Sequence, residues 1–100
     1  MNLRVAIIIP CFKANKKIGI FTKKLIDICD YFKDICLINI YLVNDCCPLN
    51  SWKEIYSIEK IQILHHKYNL GVGAATLTGF KKALNDGNEY FIKMDADGQH

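Results

Sequence analysis

Long apolar runs are missing from this 100-residue sequence. None approaches the roughly 18 residues that a membrane-spanning helix needs, and the N-terminus lacks the apolar core and cleavage site of a signal peptide. The five cysteines form no C-x-x-C pair and have no histidine at zinc-ligand spacing, which argues against a structural zinc site. The cysteines are therefore interpreted as reduced thiols of a cytoplasmic protein.

An excess of one charge is also missing. Thirteen lysines and arginines face ten aspartates and glutamates, which gives a net charge of only +3, and the lysines are scattered along the chain. Nucleic acid is therefore not expected as a partner. With 51% hydrophobic and 23% charged residues, the composition is that of one ordinary globular segment.

Short apolar runs alternate with segments of helical periodicity. The pattern predicts strands at 4–9, 39–43, 61–64 and 90–94 and helices from 18 to 32 and from 72 to 84. Asn15 is placed to cap the first helix, and Ser51 to Glu54 form a capping-box pattern that predicts a further short helix. This order predicts an α/β fold with a mostly parallel, doubly wound, Rossmann-like sheet and flanking helices.

Several candidate site residues follow directly after predicted strands. Pro10, Asp45 and Asp95 each lie just past a strand, whereas Gly71 and Gly73 open the helix that follows the third strand. Ligands of such sheets bind outside the carboxyl ends of the strands. These five residues are therefore expected to converge on one edge of the sheet.

The strongest chemical pattern is the acidic pair Asp95 and Asp97, followed by Gly98. Carboxylates at i and i+2 point to the same side of extended backbone, and two hard oxygen ligands suit Mg²⁺ or Mn²⁺ when a diphosphate and water supply the rest. The alternative is a solvated Asp-x-Asp-Gly turn. His65 and His66 have no metal-spaced partner or cysteine nucleophile nearby, and no role is assigned to them.

The remaining candidates each have two interpretations. Asp45 is suited to accept hydrogen bonds from a ribose hydroxyl or a base N–H, but it is equally suited to an Asx-turn. Gly71 and Gly73 allow close approach of a ligand to the helix N-terminus. Small residues here, including Ala75 and Gly79, would also serve close packing of the helix on the sheet.

Four segments together resemble the family 2 glycosyltransferases. They are Ile-Pro-Cys-Phe-Lys-Ala at 9–14, Val-Asn-Asp at 43–45, Asn-Leu-Gly-Val-Gly-Ala-Ala at 69–75 and Lys-Met-Asp-Ala-Asp-Gly-Gln-His at 93–100. Their order and spacing make coincidence improbable, and the resemblance covers nearly the whole chain. The last segment is most similar to dolichol-phosphate and polyprenyl-phosphate sugar transferases.

The resemblance implies an A-type glycosyltransferase fold and a UDP- or GDP-sugar donor. The acceptor would be a glycan or a lipid phosphate, with peripheral association at the inner face of the membrane. Asp95 would lie near ribose and diphosphate, and Asp97 would hold Mn²⁺ or Mg²⁺, with Asp95 completing the metal pair. The residues implied to bind the nucleotide sugar are Pro10, Phe12, Asp45, Gly71, Gly73, Asp95 and Ala96.

Two departures from the family pattern affect the nucleoside pocket. Lys13 and Ala14 stand where the family has Asn-Glu, and Asn44 replaces the first acid of an Asp-Asp pair. The resemblance also places the general base and the acceptor site beyond His100. Residues 1–100 are thus expected to form the N-terminal nucleotide-sugar-binding part of a glycosyltransferase domain, with weak or no transferase activity alone.

Three alternatives stay open on the sequence alone. A dinucleotide-binding site would use Gly71 and Gly73 with a later acid, although Thr76 stands at the third glycine and the strand ends too early. A haloacid-dehalogenase-like phosphatase would use the Asp-x-Asp motif, which here closes the fourth strand instead of the first. A non-catalytic remnant or nucleotide-binding module would keep this half of the fold without turnover.

Overall fold

The computed structural model describes residues 3–11, 17–46 and 61–95, of which 17–20 are described by backbone alone. The predicted helix at Ser51 and the cap at Asn15 lie outside these residues. The elements in chain order are β1 (Leu3–Cys11), α1 (Lys17–Tyr31), β2 (Cys36–Asn44), β3 (Ile61–His65), α2 (Val72–Asn85) and β4 (Tyr90–Lys93).

The four described strands form one parallel sheet in the order β3-β2-β1-β4. Val5 of β1 pairs with Ile38 of β2 on one side and with Tyr90 of β4 on the other. The strand order therefore reverses at β1, and the crevice between the carboxyl ends of β1 and β4 is the position where such sheets bind ligands. The predicted parallel α/β architecture is confirmed.

The two helices cover opposite faces of the sheet because side chains alternate along each strand. Ile7 and Ile9 point to the face covered by Leu25 of α1, whereas Ala6 packs with Ala83 of α2. All five are buried, so each face of β1 contributes to the core. This two-sided burial explains why β1 reads as a continuous apolar run in the sequence.

Strand ends differ from the sequence-based prediction. β1 includes Pro10, which was expected to end it, and Pro10 pairs with Val43. Hydrogen bonds to β4 involve alternate residues of β1, and the last of them joins Met94 N–H to the Ile8 carbonyl. The nitrogen of Pro10 therefore points to the side where β4 has already ended, and no ladder hydrogen bond is lost. β2 begins at Cys36, three residues earlier than predicted.

A polar cluster at the amino edge of the sheet fixes the C-terminal end of α2. The Tyr41 hydroxyl donates to Asp86 Oδ2 at 2.8 Å, and Asn88 Nδ2 donates to the Tyr41 oxygen at 3.0 Å and to the Ala83 carbonyl at 2.9 Å. Burial and the hydrogen bond to Asp86 raise the pKa of Tyr41, so its hydroxyl keeps its proton and continues to donate.

No helix in the described part of the chain is long and apolar enough to cross a membrane.

Gly79 allows α2 to lie close to the sheet. A β-carbon built at this position would come within 2.5 Å of Ile8 Cγ2 and 3.1 Å of Val43 Cγ2, and Gly79 is buried. At Gly73, one turn and a half earlier, a β-carbon would have no neighbour within 4 Å. The packing interpretation of the small residues is thus confirmed at Gly79.

Gly79→Ala is expected to lower the free energy of unfolding by about 1–2 kcal/mol. Overpacking costs about 1–3 kcal/mol and is offset in part by up to about 1 kcal/mol of helix propensity. Urea denaturation followed by circular dichroism measures the change. Gly73→Ala is the matched control and should leave stability equal or slightly increased; equal behaviour of both variants would contradict the packing role of Gly79.

Candidate functional site

The carboxyl edge of the sheet brings together residues that are far apart in sequence. Pro10 and Cys11 end β1, Asp45 follows β2, and the segment 69–71 leads into α2. Together they form a cleft of about 330 Å³. Its lining residues are Pro10, Cys11, Asp45, Asn69, Gly71, Val72 and Ala75. Three of the predicted site residues, Pro10, Asp45 and Gly71, therefore share one cavity.

Asp45 is the most enclosed charged residue of this edge, with a relative exposure of 2%. Its backbone N–H donates to the Cys11 carbonyl at 3.0 Å, which fixes it beside the end of β1. Its carboxylate accepts the Leu70 N–H on Oδ1 and the Gly71 N–H on Oδ2, both at 2.8 Å. Asp45 thus joins the ends of β1 and β2 to the segment that precedes α2.

A third partner of Asp45 is a histidine. The Nδ1 atom of His66 lies 2.8 Å from Asp45 Oδ1, and its Nε2 atom lies 2.7 Å from Thr78 Oγ1 of α2. The backbone N–H of His66 donates to the Asn44 carbonyl at 2.9 Å. No role is assigned to His66 from the sequence alone, whereas in the structure its ring connects β2, β3 and α2. The sequence signal that could have identified His66 is its position just past the third predicted strand.

The protonation state of Asp45 follows from these contacts. Burial by itself raises the pKa of the carboxyl group, but the hydrogen bonds from Leu70, His66 and Gly71 outweigh it and hold the pKa below its usual value. Asp45 is therefore ionised at neutral pH. A carboxylate has about four acceptor positions, and three of those of Asp45 are taken by donors from the described residues.

Gly71 has a backbone conformation that other residues rarely adopt. Its φ is +95°, and its carbonyl accepts the Ala75 N–H at 3.0 Å to begin α2. Its N–H is shared between Asp45 Oδ2 and the Asn69 side-chain oxygen, the latter at 3.1 Å. Gly73 lies in the first turn of α2, is exposed, and does not line the cleft. Of the two predicted glycines, Gly71 therefore lines the cleft and Gly73 does not.

Asp95 lies on the same edge, past the end of β4. The preceding Met94 N–H donates to the Ile8 carbonyl, which places Asp95 beside the point where the strand order reverses. Its carboxylate is 41% exposed, and Oδ1 is 3.5 Å from the Lys93 ammonium nitrogen. Asp95 borders a second cavity of about 400 Å³. The other lining residues are Phe21, Ile92, Lys93 and Met94.

The predicted metal pair is only half described. Asp97, like Phe12 and Ala96, lies outside the described residues. Among residues 3–11, 17–46 and 61–95 no group of three or more histidine, cysteine or acidic side chains is arranged to hold a metal ion. The Asp95 carboxylate alone fits a hard cation in chemical type and accessibility, and its predicted partner in the sequence is Asp97.

Cys46 is a further residue of this edge with an unusual backbone conformation. It follows Asp45 directly and has a φ of +54°, which is uncommon for a residue other than glycine. Its thiol donates to the Lys67 carbonyl at 3.5 Å. Cys46 therefore contacts the segment that follows β3.

Several curated proteins are similar to this chain. UDP-N-acetylglucosamine--dolichyl-phosphate N-acetylglucosaminyltransferase of Methanococcus voltae is 35% identical over 78 residues, covering 62% of this chain and 31% of that protein. Polyprenol monophosphomannose synthase of Mycolicibacterium smegmatis is 26% identical over 97% of this chain and 36% of that protein. Undecaprenyl-phosphate mannosyltransferase of Micrococcus luteus is 26% identical, with coverages of 98% and 40%. The chain spans 31–40% of the length of these relatives.

The sequence profile described as Glycosyl transferase family 2 matches residues 6–100. The matched region contains both the Asp45 cleft and the acidic segment around Asp95. It thereby favours the glycosyltransferase interpretation over the dinucleotide-binding and phosphatase alternatives. Because the match covers nearly the whole sequence, this chain belongs to glycosyl transferase family 2.

Proposed function

We propose that residues 1–100 form the nucleotide-sugar-binding part of a metal-dependent glycosyltransferase. The donor is a UDP- or GDP-linked sugar, and the acceptor is a lipid phosphate of the polyprenol or dolichol class. The observation that carries the proposal is the cleft between Pro10, Asp45 and Gly71, on the same sheet edge as Asp95, in a chain that belongs to family 2. The relatives' names support a lipid-phosphate acceptor.

The nucleoside is proposed to lie in the cleft beside Pro10 and Phe12. The fourth acceptor position of the Asp45 carboxylate is proposed to accept a hydrogen bond from a ribose hydroxyl or a base N–H. Gly71 lies at the N-terminus of α2, where the helix dipole favours the negative diphosphate. Gly73, in the first turn of α2 but outside the lining of the cleft, and Ala96, next to Asp95 in the sequence, are the remaining proposed contacts with the donor.

Asp95 and Asp97 are proposed to hold Mn²⁺ or Mg²⁺. A divalent ion bound there would supply positive charge that stabilises the diphosphate as it leaves the sugar. The protein's own contribution would be the Asp95 carboxylate at the carboxyl end of β4, with Asp97, two residues further along the sequence, supplying the second oxygen ligand. The general base that deprotonates the acceptor is proposed to lie outside these residues, since the relatives are more than twice as long.

A lipid-phosphate acceptor requires the enzyme to work at a membrane surface. We therefore propose peripheral association with the cytoplasmic face of the membrane, where nucleotide sugars are available. The departures at Lys13, Ala14 and Asn44 concern the nucleoside pocket. The Asn44 side chain is already engaged in the structure, since its Nδ2 atom lies 3.1 Å from His65 Nδ1.

Nucleotide binding that depends on metal tests this proposal directly. In calorimetric titrations with UDP and GDP, we expect one nucleotide to bind in the presence of Mn²⁺ and to lose at least about tenfold in affinity without it. Asp95→Asn and Asp97→Asn should produce the same loss, because each removes a charged oxygen ligand but keeps the shape of the side chain.

The matched control is Asp34→Asn, the same change at an exposed turn between α1 and β2 on the amino edge. It should bind like the unsubstituted chain. Binding that is equal in all variants and independent of metal would contradict the metal site. Absence of binding under every condition would instead support the non-catalytic alternative.

The pH dependence of stability tests whether the ionised Asp45 carboxylate stabilises the fold. Because the folded pKa of Asp45 is lowered, its contribution is present above the unfolded pKa of about 3.9 and disappears as pH falls through the folded value. Asp45→Asn should cost about 2 kcal/mol at neutral pH. In urea denaturation, the difference from the unsubstituted chain should shrink as the pH falls below the unfolded pKa and through the lower folded pKa of Asp45.

Asp34→Asn again serves as the control and should show little effect at any pH. A deficit of Asp45→Asn that stays constant down to strongly acidic pH would show that the carboxylate charge does not contribute to stability.

A further inference from the structure

His66 holds a position that connects three elements at the donor cleft. The backbone N–H of His66 donates to the Asn44 carbonyl. In its ring, Nδ1 contacts Asp45 Oδ1, and Nε2 contacts Thr78 Oγ1 in the second turn of α2. The side chain is only 8% exposed. A ring with both nitrogens engaged and so little access to solvent is not placed to touch a substrate.

The direction of the hydrogen bonds follows from the acceptor. An ionised carboxylate can only accept, so His66 Nδ1 carries a proton and donates to Asp45. The Nε2 atom and the Thr78 hydroxyl, which are 2.7 Å apart, form the second hydrogen bond of the ring. The three side chains form one hydrogen-bonded chain from Thr78 through His66 to Asp45.

The same carboxylate oxygen that accepts from His66 also accepts the Leu70 N–H, and its second oxygen accepts the Gly71 N–H. The orientation of the carboxylate therefore decides where the segment 69–71 lies. That segment lines the cleft through Asn69 and Gly71. Without the hydrogen bond from His66, the carboxylate can rotate, and the two backbone N–H groups lose a fixed acceptor.

We propose that His66 is a positioning residue of the donor site, which holds the Asp45 carboxylate and through it the 69–71 segment in the conformation that binds the nucleotide. This inference rests on the proposed function for the identity of the ligand. The hydrogen bonds that join Thr78, His66 and Asp45 are independent of the proposed function. Thr78 is the second member of the positioning chain, since it fixes the far side of the imidazole ring.

The first test replaces the ring. His66→Phe keeps an aromatic ring but removes both hydrogen bonds, and we expect the affinity for UDP or GDP with Mn²⁺ to fall by about tenfold. His66→Gln should recover most of the affinity, because its amide nitrogen can donate to Asp45 and its oxygen can accept from Thr78. Equal affinities of both variants and the unsubstituted chain would overturn the proposal.

Two matched threonine substitutions on α2 test the Thr78 end of the hydrogen-bonded chain. Thr78→Val removes the hydroxyl that contacts His66 and should weaken nucleotide binding several-fold. Thr76→Val removes a hydroxyl whose hydrogen bond, at 2.8 Å, stays within the helix on the Val72 carbonyl. Thr76→Val should leave binding unchanged. Equal effects of the two substitutions would contradict the role of Thr78.

Amide hydrogen exchange by nuclear magnetic resonance reports the segment without any ligand. In His66→Phe and Thr78→Val, exchange should accelerate at Leu70 and Gly71, whereas the Glu89 N–H, which donates to the Arg4 carbonyl on the opposite edge, should keep its protection. Unchanged protection at Leu70 and Gly71 would overturn the positioning role. Absence of nucleotide binding by the unsubstituted chain would contradict the proposed function, and exchange would still decide whether His66 fixes the segment.

Discussion

A buried carboxylate is the constraint on which the carboxyl edge of this protein depends. Removing Asp45 from water costs free energy that only good hydrogen-bond partners can offset. Two backbone N–H groups and the His66 ring provide that compensation. Because those partners belong to the segment between β3 and α2, satisfying one charge also sets the path of that segment and the point where α2 begins.

Helix α2 is held at both ends and in the middle, and this determines the shape of the cleft beside Asp45. Asp45 and Thr78 fix its N-terminal part through direct contacts and through His66. The Tyr41 hydroxyl and Asn88 fix its C-terminal end at the opposite edge. Gly79 sets the distance to the sheet. A helix restrained in this way holds its N-terminus in a fixed position at the cleft, and rigid elements of this kind make precise binding sites.

Most of the fold was readable from the sequence because the parallel strands are buried on both faces and therefore appear as apolar runs. Strand ends were less readable. Pro10 was expected to stop β1, but it lies where β4 has already ended and no hydrogen bond is required of it. β2 extends back to Cys36 because β1 is available as a partner from Leu3 onward. Strand length is thus decided by the neighbouring strand, which local composition does not report.

By itself, the sequence determined the fold class, the family and the edge of the sheet that carries the candidate site. The succession of strands and helices along the chain and the spacing of the motifs are local properties that can be read from the sequence. Only the tertiary structure decided which residues meet there. It placed Gly71 on the cleft but Gly73 outside it, since they lie at different positions around the start of α2. It also joined His66 to Asp45 and Thr78. Hydrogen bonds between distant segments depend on the packing of three elements, and no local pattern encodes that packing.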